Sequence, residues 1–460
     1  MTNLSGTNLN SRDSGGPVGE GRESPSNFPG YPEYKKGDSD WVGIVPVNWE
    51  LCRGRWLFRN KREAPKASDE QLSATQKYGV IPQSHFMESE DQKVTLALSG
   101  TSNFRHVDAG DFVISLRSFQ GGIEWSRYSG CVSPAYTVME PSEEVVHSYY
   151  RYLLKSDDFI SYLNIISDSI RDGKTISYGQ FSDIVFPVPP KADQRIIAAF
   201  LDHETDKIDA LIEEQKRLIE LLKEKRQAVI SHAVTKGLDP NAPMKDSGVE
   251  WLGEVPEHWR LIPVWILFEM GRGRVISNDD IAENPGSYPV YSSQTEENGV
   301  IGYIDTFDFD GDYLTWTTDG ANAGTVFRRE GKFNCTNVCG TLKPRLRDVD
   351  LDYLWSAVSI STMAFVRHDI NPKLMNGVMA SIRVPVPPLP EQREIATRVA
   401  WRIEETEALV LESESTIGLL RERRSALISA AVTGKIDVRD WQPPASETQT
   451  PETTRAGATA

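Results

Sequence analysis

The sequence predicts an α+β fold built twice over: two pseudo-repeated α/β domains, each followed by a long helix, with the two helices pairing as a coiled coil. Three observations carry this. Trp41-Val42-Gly43-Ile44-Val45-Pro46-Val47-Asn48-Trp49 reads against Trp251-Leu252-Gly253-Glu254-Val255-Pro256-Glu257-His258-Trp259, an offset of 210. Phe186-Pro187-Val188-Pro189-Pro190-Lys191-Ala192-Asp193-Gln194-Arg195 reads against Val384-Pro385-Val386-Pro387-Pro388-Leu389-Pro390-Glu391-Gln392-Arg393, an offset of 198. Each proline block opens a charged stretch of about forty residues with helical spacing. Repeats at so long a period mean duplicated domains and not a solenoid of small units.

The plan divides the chain into a tail over 1–35, a first domain over 36–186 and a proline hinge with its helix over 187–237. A linker and second domain follow over 238–384, then a second hinge and helix over 385–436 and a tail over 437–460. The Gly/Ser/Asn-rich start has no apolar core, so it is no secretory signal. Neither tail carries enough apolar surface to offset chain entropy, so both are expected to be disordered.

In the first domain Asp111-Phe112-Val113-Ile114-Ser115-Leu116 reads as a strand and Gly121-Gly122 as a turn. His147 to Ile166 reads as a helix, on the spacing of Tyr149, Leu153, Phe159, Leu163 and Ile166. The hinge prolines cannot lie inside a helix, because each lacks an amide proton and pushes its predecessor toward extended geometry. Asp193 and Glu391 then place negative charge at a helix start, where the macrodipole favours it. The first long helix is expected from about Asp193 to Val234, with a seam through Ile197, Leu201, Glu204, Ile208, Leu211, Gln215, Leu218, Leu222, Lys225, Val229 and His232. Its polar members Glu204, Gln215 and Lys225 are expected to set the pairing register.

The second domain repeats the style. Tyr313 to Thr317 reads as a strand, Asp319-Gly320 and Ala323-Gly324 as turns, and Tyr353 to Val366 as the matching helix. The second long helix is expected from about Glu391 to Val432, with a stripe of Ile395, Val399, Ile403, Leu409, Val410, Ile417, Leu420, Leu427 and Ile428. Arg226-Gln227-Ala228-Val229-Ile230-Ser231 aligns with Arg424-Ser425-Ala426-Leu427-Ile428-Ser429. Gly237 and Gly434 stand ready to cap the two helices. So long a charged helix is not stable alone, which makes each the other's partner.

Net charge is −16, which argues against a general nucleic-acid binder. Residues 1–40 carry −2, 193–236 carry −1 and 391–435 carry −1, so the domains hold most of the excess. Any DNA-binding face must therefore be a basic side on an acidic body. Four cysteines, Cys52, Cys131, Cys335 and Cys339, fit free thiols in a cytoplasmic protein. Cys335 and Cys339 are spaced like half a metal site, but no second Cys/His pair stands nearby. No stretch approaches the ~18 apolar residues of a membrane span. The phosphate loop, the dinucleotide fingerprint, the Asn/Asp-Pro-Pro-aromatic motif of amino-methyltransferases and the H-E-x-x-H, EF-hand and G-x-S-x-G motifs are all missing. The chain reads as non-catalytic, with no catalytic, cofactor or metal residues of its own.

The paired W-x-G-x-x-P-x-x-W and P-x-P-P-x-x-[DE]-Q-R motifs, with the two long helices, resemble the specificity subunit of type I restriction–modification systems. The resemblance is closest at Lys245 to Trp259 and at Val384 to Arg393, and covers about residues 35–440. The first copy departs at Lys36-Gly37-Asp38, where the second has Asp246-Ser247-Gly248. The resemblance implies two target-recognition domains separated by two antiparallel helices that form a coiled-coil spacer. Each domain would read one half of a split double-stranded DNA site, and the helices would carry two methyltransferase (modification) subunits. Restriction/translocase subunits would complete the complex. S-adenosylmethionine, ATP and Mg²⁺ would then belong to those partners.

Basic and amide side chains in turn-rich stretches are the candidates for DNA, since Arg and Lys suit phosphate and guanine while Gln and Asn suit adenine. In the first domain they are Arg53, Arg55, Arg59, Lys61, Arg62, Arg117, Gln120, Arg127 and Lys174. In the second they are Arg272, Arg274, Ser292, Ser293, Gln294, Asn322, Arg328, Arg329, Lys343 and Lys373. The plain alternative for each is solvated surface charge. Trp41, Trp49, Trp251 and Trp259 read as packing residues more than as base-stacking platforms. Gln194, Arg195, Gln392 and Arg393 are candidates for contact with the methyltransferase subunits, or for orienting the helix starts. A non-DNA-binding structural adaptor is the alternative function, and the acidic balance favours it.

Overall fold

Phe58–Lys61 (β1), Phe112–Ile114 (β2), Glu124–Trp125 (β3) and Thr137–Pro141 (β4) form an antiparallel sheet in the order β1-β4-β2-β3. The computed structural model describes residues 28–37, 41–90, 103–116, 118–167, 176–366 and 372–443. The chain divides into two units, 1–213 with 416–460, and 214–415. The division falls inside both long helices, so each unit holds one α+β region and two helix halves.

In the first unit, alternation along the strands separates two cores. Val113 and Val138 face a small cluster with Leu72, Val80, Val107 and Val132. Phe58 and Phe112 face the other way and stack edge to face at 5.3 Å. Tyr150 and Phe181 add rings to that second core. The expected helix from His147 to Ile166 is two, His147–Leu153 (α1) and Asp157–Ile166 (α2). The break lies at Leu154–Ser156, where Ser156 Oγ donates back to the carbonyl of Leu153. Of the hinge prolines, Pro187 lies in Val185–Val188, which pairs antiparallel with Glu50–Arg53, and Pro189-Pro190 lead from there into Lys191–Lys236 (α3).

The second unit repeats the sheet. Phe268–Arg272 (β5), Tyr313–Thr317 (β6), Val326–Arg329 (β7) and Cys339–Pro344 (β8) stand in the order β5-β8-β6-β7. Leu314 and Trp316 face the main core with Tyr353 and Leu354 of Leu351–Met363 (α4). Tyr313 faces a second cluster with Phe333, Cys335 and Cys339. A second sheet flanks it, with Pro285–Tyr291 between Val300–Ile304 and Lys332–Cys335. Arg383–Val386 pairs with Arg260–Pro263 and leads into Leu389–Val432 (α5).

In each unit the start of one long helix meets the end of the other. Arg424 of α5 pairs with Asp209 of α3 in the first unit, and Arg226 of α3 with Glu407 of α5 in the second. The buried seam of α3 differs from the expected one. Ile197, Leu201 and Ile208 are buried, but it continues through Thr205, Ile212 and Ile219, while Leu211 and Leu218 are exposed. Lys225 is exposed and Glu204 half-buried. On α5 Thr406 and Ser413 are buried and Leu409 is exposed. Small hydroxyl residues thus hold seam positions, with their Oγ satisfied by the preceding turn, as Thr205 and Thr406 show.

The tails need correction at their inner ends. Tyr31 is buried, Phe28 packs edge to face on Phe200, and Phe200 packs on Trp441. The Asp437 amide donates to the Pro29 carbonyl at 2.7 Å. Ile436 and Val438 are buried, so these flanks have the apolar surface that the outer tails lack. The rest of both expected tails, 1–27 and 444–460, lies outside the described residues. Among the described residues no helix is long and apolar enough to cross a membrane.

Candidate nucleic-acid interface

The two motif glutamines do the same job in each unit. Gln194 is fully buried; its Oε1 accepts from the Val146 amide at 2.9 Å and its Nε2 donates to the carbonyls of Pro189 and Glu144. Gln392 accepts from the Asp350 amide at 2.8 Å and donates to Pro387. Each amide ties the hinge to the loop before α1 or α4. This corrects their assignment as partner contacts: neither has surface to offer. Arg195 and Arg393, next to them, are exposed.

The tryptophans pack as expected. Trp49 and Trp259 are buried against the caps of the long helices. Gly434, at φ +73°, lies so close to Pro46 and Trp49 that a Cβ would stand 2.5 Å from the proline ring. Gly237, at φ +79°, faces Trp259 less closely, with a Cβ 3.3 Å from the ring. Trp41 donates its indole N–H to the Val185 carbonyl, and Trp251 packs on Phe365.

Several cations of the first unit are already paired. Arg53 and Arg55 share Asp183, and Arg59 pairs with Glu140, which lies directly opposite it on β4. Lys61 needs correction as a DNA contact. It is buried, with Nζ 2.5 Å from Asp108 and 2.9 Å from Asp111. Burial alone would lower its pKa, but those hydrogen bonds outweigh it and hold the ammonium above its ordinary value. Lys61 and then His106 hold the Asp108 carboxyl well below the usual range. Glu63, His106 and Asp108 could each offer one atom to a metal ion. The ammonium groups of Lys61 and Lys66 already contact Asp108 and His106, however, so the cationic role there is filled. Gln120, Arg62 and Arg127 are exposed, and Arg127 stacks on Trp125. Arg117 and Lys174 lie outside the described residues.

The second unit draws most of its candidates around one turn, Thr336 to Val338. Arg272 Nε donates to the Asn337 carbonyl at 2.7 Å, and the Arg274 amide donates to Cys335. Thr336 Oγ1 donates to Ser292 Oγ, and Asn322 Nδ2 donates to the Ser293 carbonyl. Thr318 Oγ1 donates to the Val338 carbonyl, which places the neighbouring Asp319–Lys373 pair at the same end. Gln294 is exposed beside Ser293. Arg328 and Lys343 do not join them. The register sets them toward the Tyr313 end of β6, where Arg328 pairs with Asp312 and Asp352. Arg329 is buried between the rings of Tyr291 and Phe327, and burial lowers its pKa. Asn337, exposed at the tip of the turn, was not singled out from the sequence. The signal was there: Thr336-Asn337 stands between two strand-like runs.

Arg62 and Arg272 occupy matching places at the ends of β1 and β5, separated by the same 210 residues as the opening motifs. Both are exposed, and neither has a carboxylate partner among the described residues. Two sheets of one build thus end in similar arginines but different neighbours.

A family model described as type I restriction modification DNA specificity domain matches residues 46–221 and 256–406. A Mycoplasma pneumoniae protein described as a type I specificity subunit is 34% identical over 220 residues, covering 47% of this chain and 80% of that protein. The specificity subunit of the type I restriction enzyme MpnII, from the same organism, is 45% identical over 130 residues, 28% of this chain and 39% of that one. Another specificity subunit of that organism is matched over 35% of its length. Among solved structures, a chain from a study of type I system assembly and conformational transition matches with a TM-score of 0.66 at 15% identity, covering 84% of this chain and 98% of its own. The HsdS subunit of Thermoanaerobacter tengcongensis matches with a TM-score of 0.52 at 14% identity over 87% of this chain and 100% of that one. These likenesses show the fold, and with the two-part family match they place the chain: it belongs to the type I restriction–modification DNA specificity subunits.

Proposed function

We propose that this chain reads a bipartite, asymmetric DNA site, one half with each α+β region, and docks methyltransferase subunits on its helices. The observation that carries the reading is the duplication itself. The same strand order recurs in both units, with Arg62 and Arg272 at matching strand ends. The surrounding polar residues differ, so the two half-sites should differ in sequence. Half-sites about one duplex turn apart, roughly 34 Å, present themselves on one face of DNA. A helical spacer fixes such a distance better than a flexible linker would. Trp401 supports the docking of partners on the helices. It stands half exposed on α5 between Arg398 and Arg402, both of which stack on it. The chain would work without catalysis of its own in the cytoplasm, and the partners would supply methyl transfer, ATP-driven translocation and cleavage.

The test is a swap. Residues 238–384 are replaced by those of a relative, and methylated sites are mapped in cells that hold the companion subunits. The reading requires one half of the methylated sequence to change and the other to stay. A second reading, a protein adaptor that never touches DNA, draws on the pairing of Arg55, Arg59, Arg274 and Arg328 with carboxylates. Under it the swap changes the protein partner and leaves the methylated sequence as it was.

A further inference from the structure

A crevice of about 490 Å³ opens in the first unit between β3, α1 and the end of α5. Lys77, Arg127, Arg151, Lys155 and Arg424 line it, with Trp125 among them. Asp202 pairs with Arg151, Glu124 with Lys155 at 2.7 Å, and Asp209 with Arg424. Arg127 has no carboxylate partner among the described residues. Its guanidinium lies 5.2 Å from the centre of the Trp125 ring, and that of Arg151 lies 5.8 Å from it. The Trp125 indole N–H is buried and has no hydrogen-bond partner among the described residues.

The duplicated fold supplies an internal comparison. The second unit has a crevice of about 440 Å³ at the matching place, between β7, α4 and the end of α3. Arg226 lines it where Arg424 lines the first. Counting from the matching tyrosines Tyr149 and Tyr353, Arg151 stands where the second unit has Trp355, and Lys155 where it has Ser359. Ile360 and Met363 complete an apolar lining there. The architecture therefore does not require cations at this place. Their gathering in the first unit calls for an acceptor-rich anion. Arginine forks match phosphate oxygens. The volume falls in the range of about 300–1,000 Å³ that ligand sites occupy, and exposed aromatic faces suit a stacked base.

We propose that this crevice binds a phosphate-bearing ligand the size of a single nucleotide. The phosphate could come from a free nucleotide or from a nucleotide of a DNA strand, and one set of titrations separates the two sources. The full chain is titrated with ATP, AMP and inorganic phosphate by calorimetry, and with duplex DNA by fluorescence anisotropy. Arg127→Glu and Lys77→Glu are compared with the unaltered chain. Arg127 is exposed, so its reversal leaves the core alone, and a melting curve checks this. Binding of ATP or AMP that weakens about tenfold or more in R127E supports a free nucleotide. No free-nucleotide binding, with duplex affinity falling about tenfold in R127E, supports a strand phosphate. The nucleotide arm does not depend on the DNA reading above, so failure of duplex binding in the unaltered chain leaves that arm standing. If neither titration responds to R127E and K77E, the proposal is wrong.

Discussion

Trp259 donates its indole N–H to Glu391 Oε1 at 3.0 Å. The other carboxylate oxygen lies 2.7 Å from His258 Nε2. The acidic residue that opens α5 thus also anchors the opening motif of its unit. In the first unit the pair is Trp49 and Asp193, and aspartate is one methylene shorter. Among the described residues Trp49 Nε1, Asp193 Oδ2 and the nearby Tyr31 Oη are buried and make no well-formed hydrogen bond, with Trp49 turned to Tyr31 and Asp193 to Asn48 instead of to each other. An orphaned buried donor costs about 1–3 kcal/mol. Asp193→Glu is therefore expected to stabilise the first unit by about 1 kcal/mol, and Glu391→Asp to cost the second a similar amount. Urea unfolding measures both. A lower midpoint for D193E would show that the shorter acid is not the cause.

The hinge glutamines give a prediction of opposite sign. Gln194→Leu keeps the volume but strips partners from the Val146 amide and from the Pro189 and Glu144 carbonyls. With one buried and two part-buried polar groups losing a partner, a cost of about 2–3 kcal/mol is expected. Gln392→Leu should behave alike in the second unit. If either glutamine mainly touched a methyltransferase subunit, the free chain would keep its melting temperature and only assembly would suffer.

The framework was legible in the sequence because its signals are local. Proline fixes its own φ, glycine caps at Gly237 and Gly434, and the paired tryptophans mark the same packing twice. The α3 seam was misread because two apolar registers compete along it. Leu211 and Leu218 sit one residue before Ile212 and Ile219, and only packing decides between them. The candidate contacts were harder, since a charge in a sequence does not show its partner. Lys61 looks like Arg62 until folding brings Asp111 beside it. The turn at Thr336–Val338 gathers residues from four separate stretches, and no spacing rule joins Arg272 to Asn322.

Arg424 reaches Asp209 through Nε at 2.9 Å and Nη2 at 3.2 Å. The matching pair, Arg226 and Glu407, is separated by 3.6 Å. Both are partly exposed, so water screens them. A double-mutant cycle on D209A and R424A should give a coupling of about 0.5–1 kcal/mol, and the looser pair less. The expected order follows from geometry: a two-pronged arginine contact outweighs a single distant one. Equal couplings, or a stronger one for Arg226 and Glu407, would contradict it.

Glu124 makes stability depend on pH. Burial pushes its carboxyl from an ordinary 4.5 up to about 7, with Lys155 pulling the other way. The folded chain therefore holds this proton more tightly than the unfolded chain. The resulting stability is complete below about pH 4.5 and is lost as pH rises through about 7. Between pH 5 and 8 the unaltered chain should lose about 2–3 kcal/mol more than Glu124→Gln does. Melting curves of both across that window test this, and parallel curves would rule out Glu124 as the titrating group.

Arg272, Asn322 and Asn337 gather at one turn of the second unit, while Arg62 holds the matching strand end in the first. If the second unit reads its half-site there, Arg272→Ala and Asn337→Ala should each weaken discrimination by about 1–3 kcal/mol. The loss should fall on bases of a single half-site. Arg62→Ala should affect only the other half. Arg328→Ala, on the far end of the sheet and paired with Asp312 and Asp352, should leave the recognised sequence unchanged. Mapping methylated sites in cells with each variant reads all four at once. A variant that relaxes both halves together would act on general DNA affinity instead, because phosphate contacts carry no sequence information. Relaxed sequence from R328A with none from R272A would move the reading face to the opposite end of the sheet.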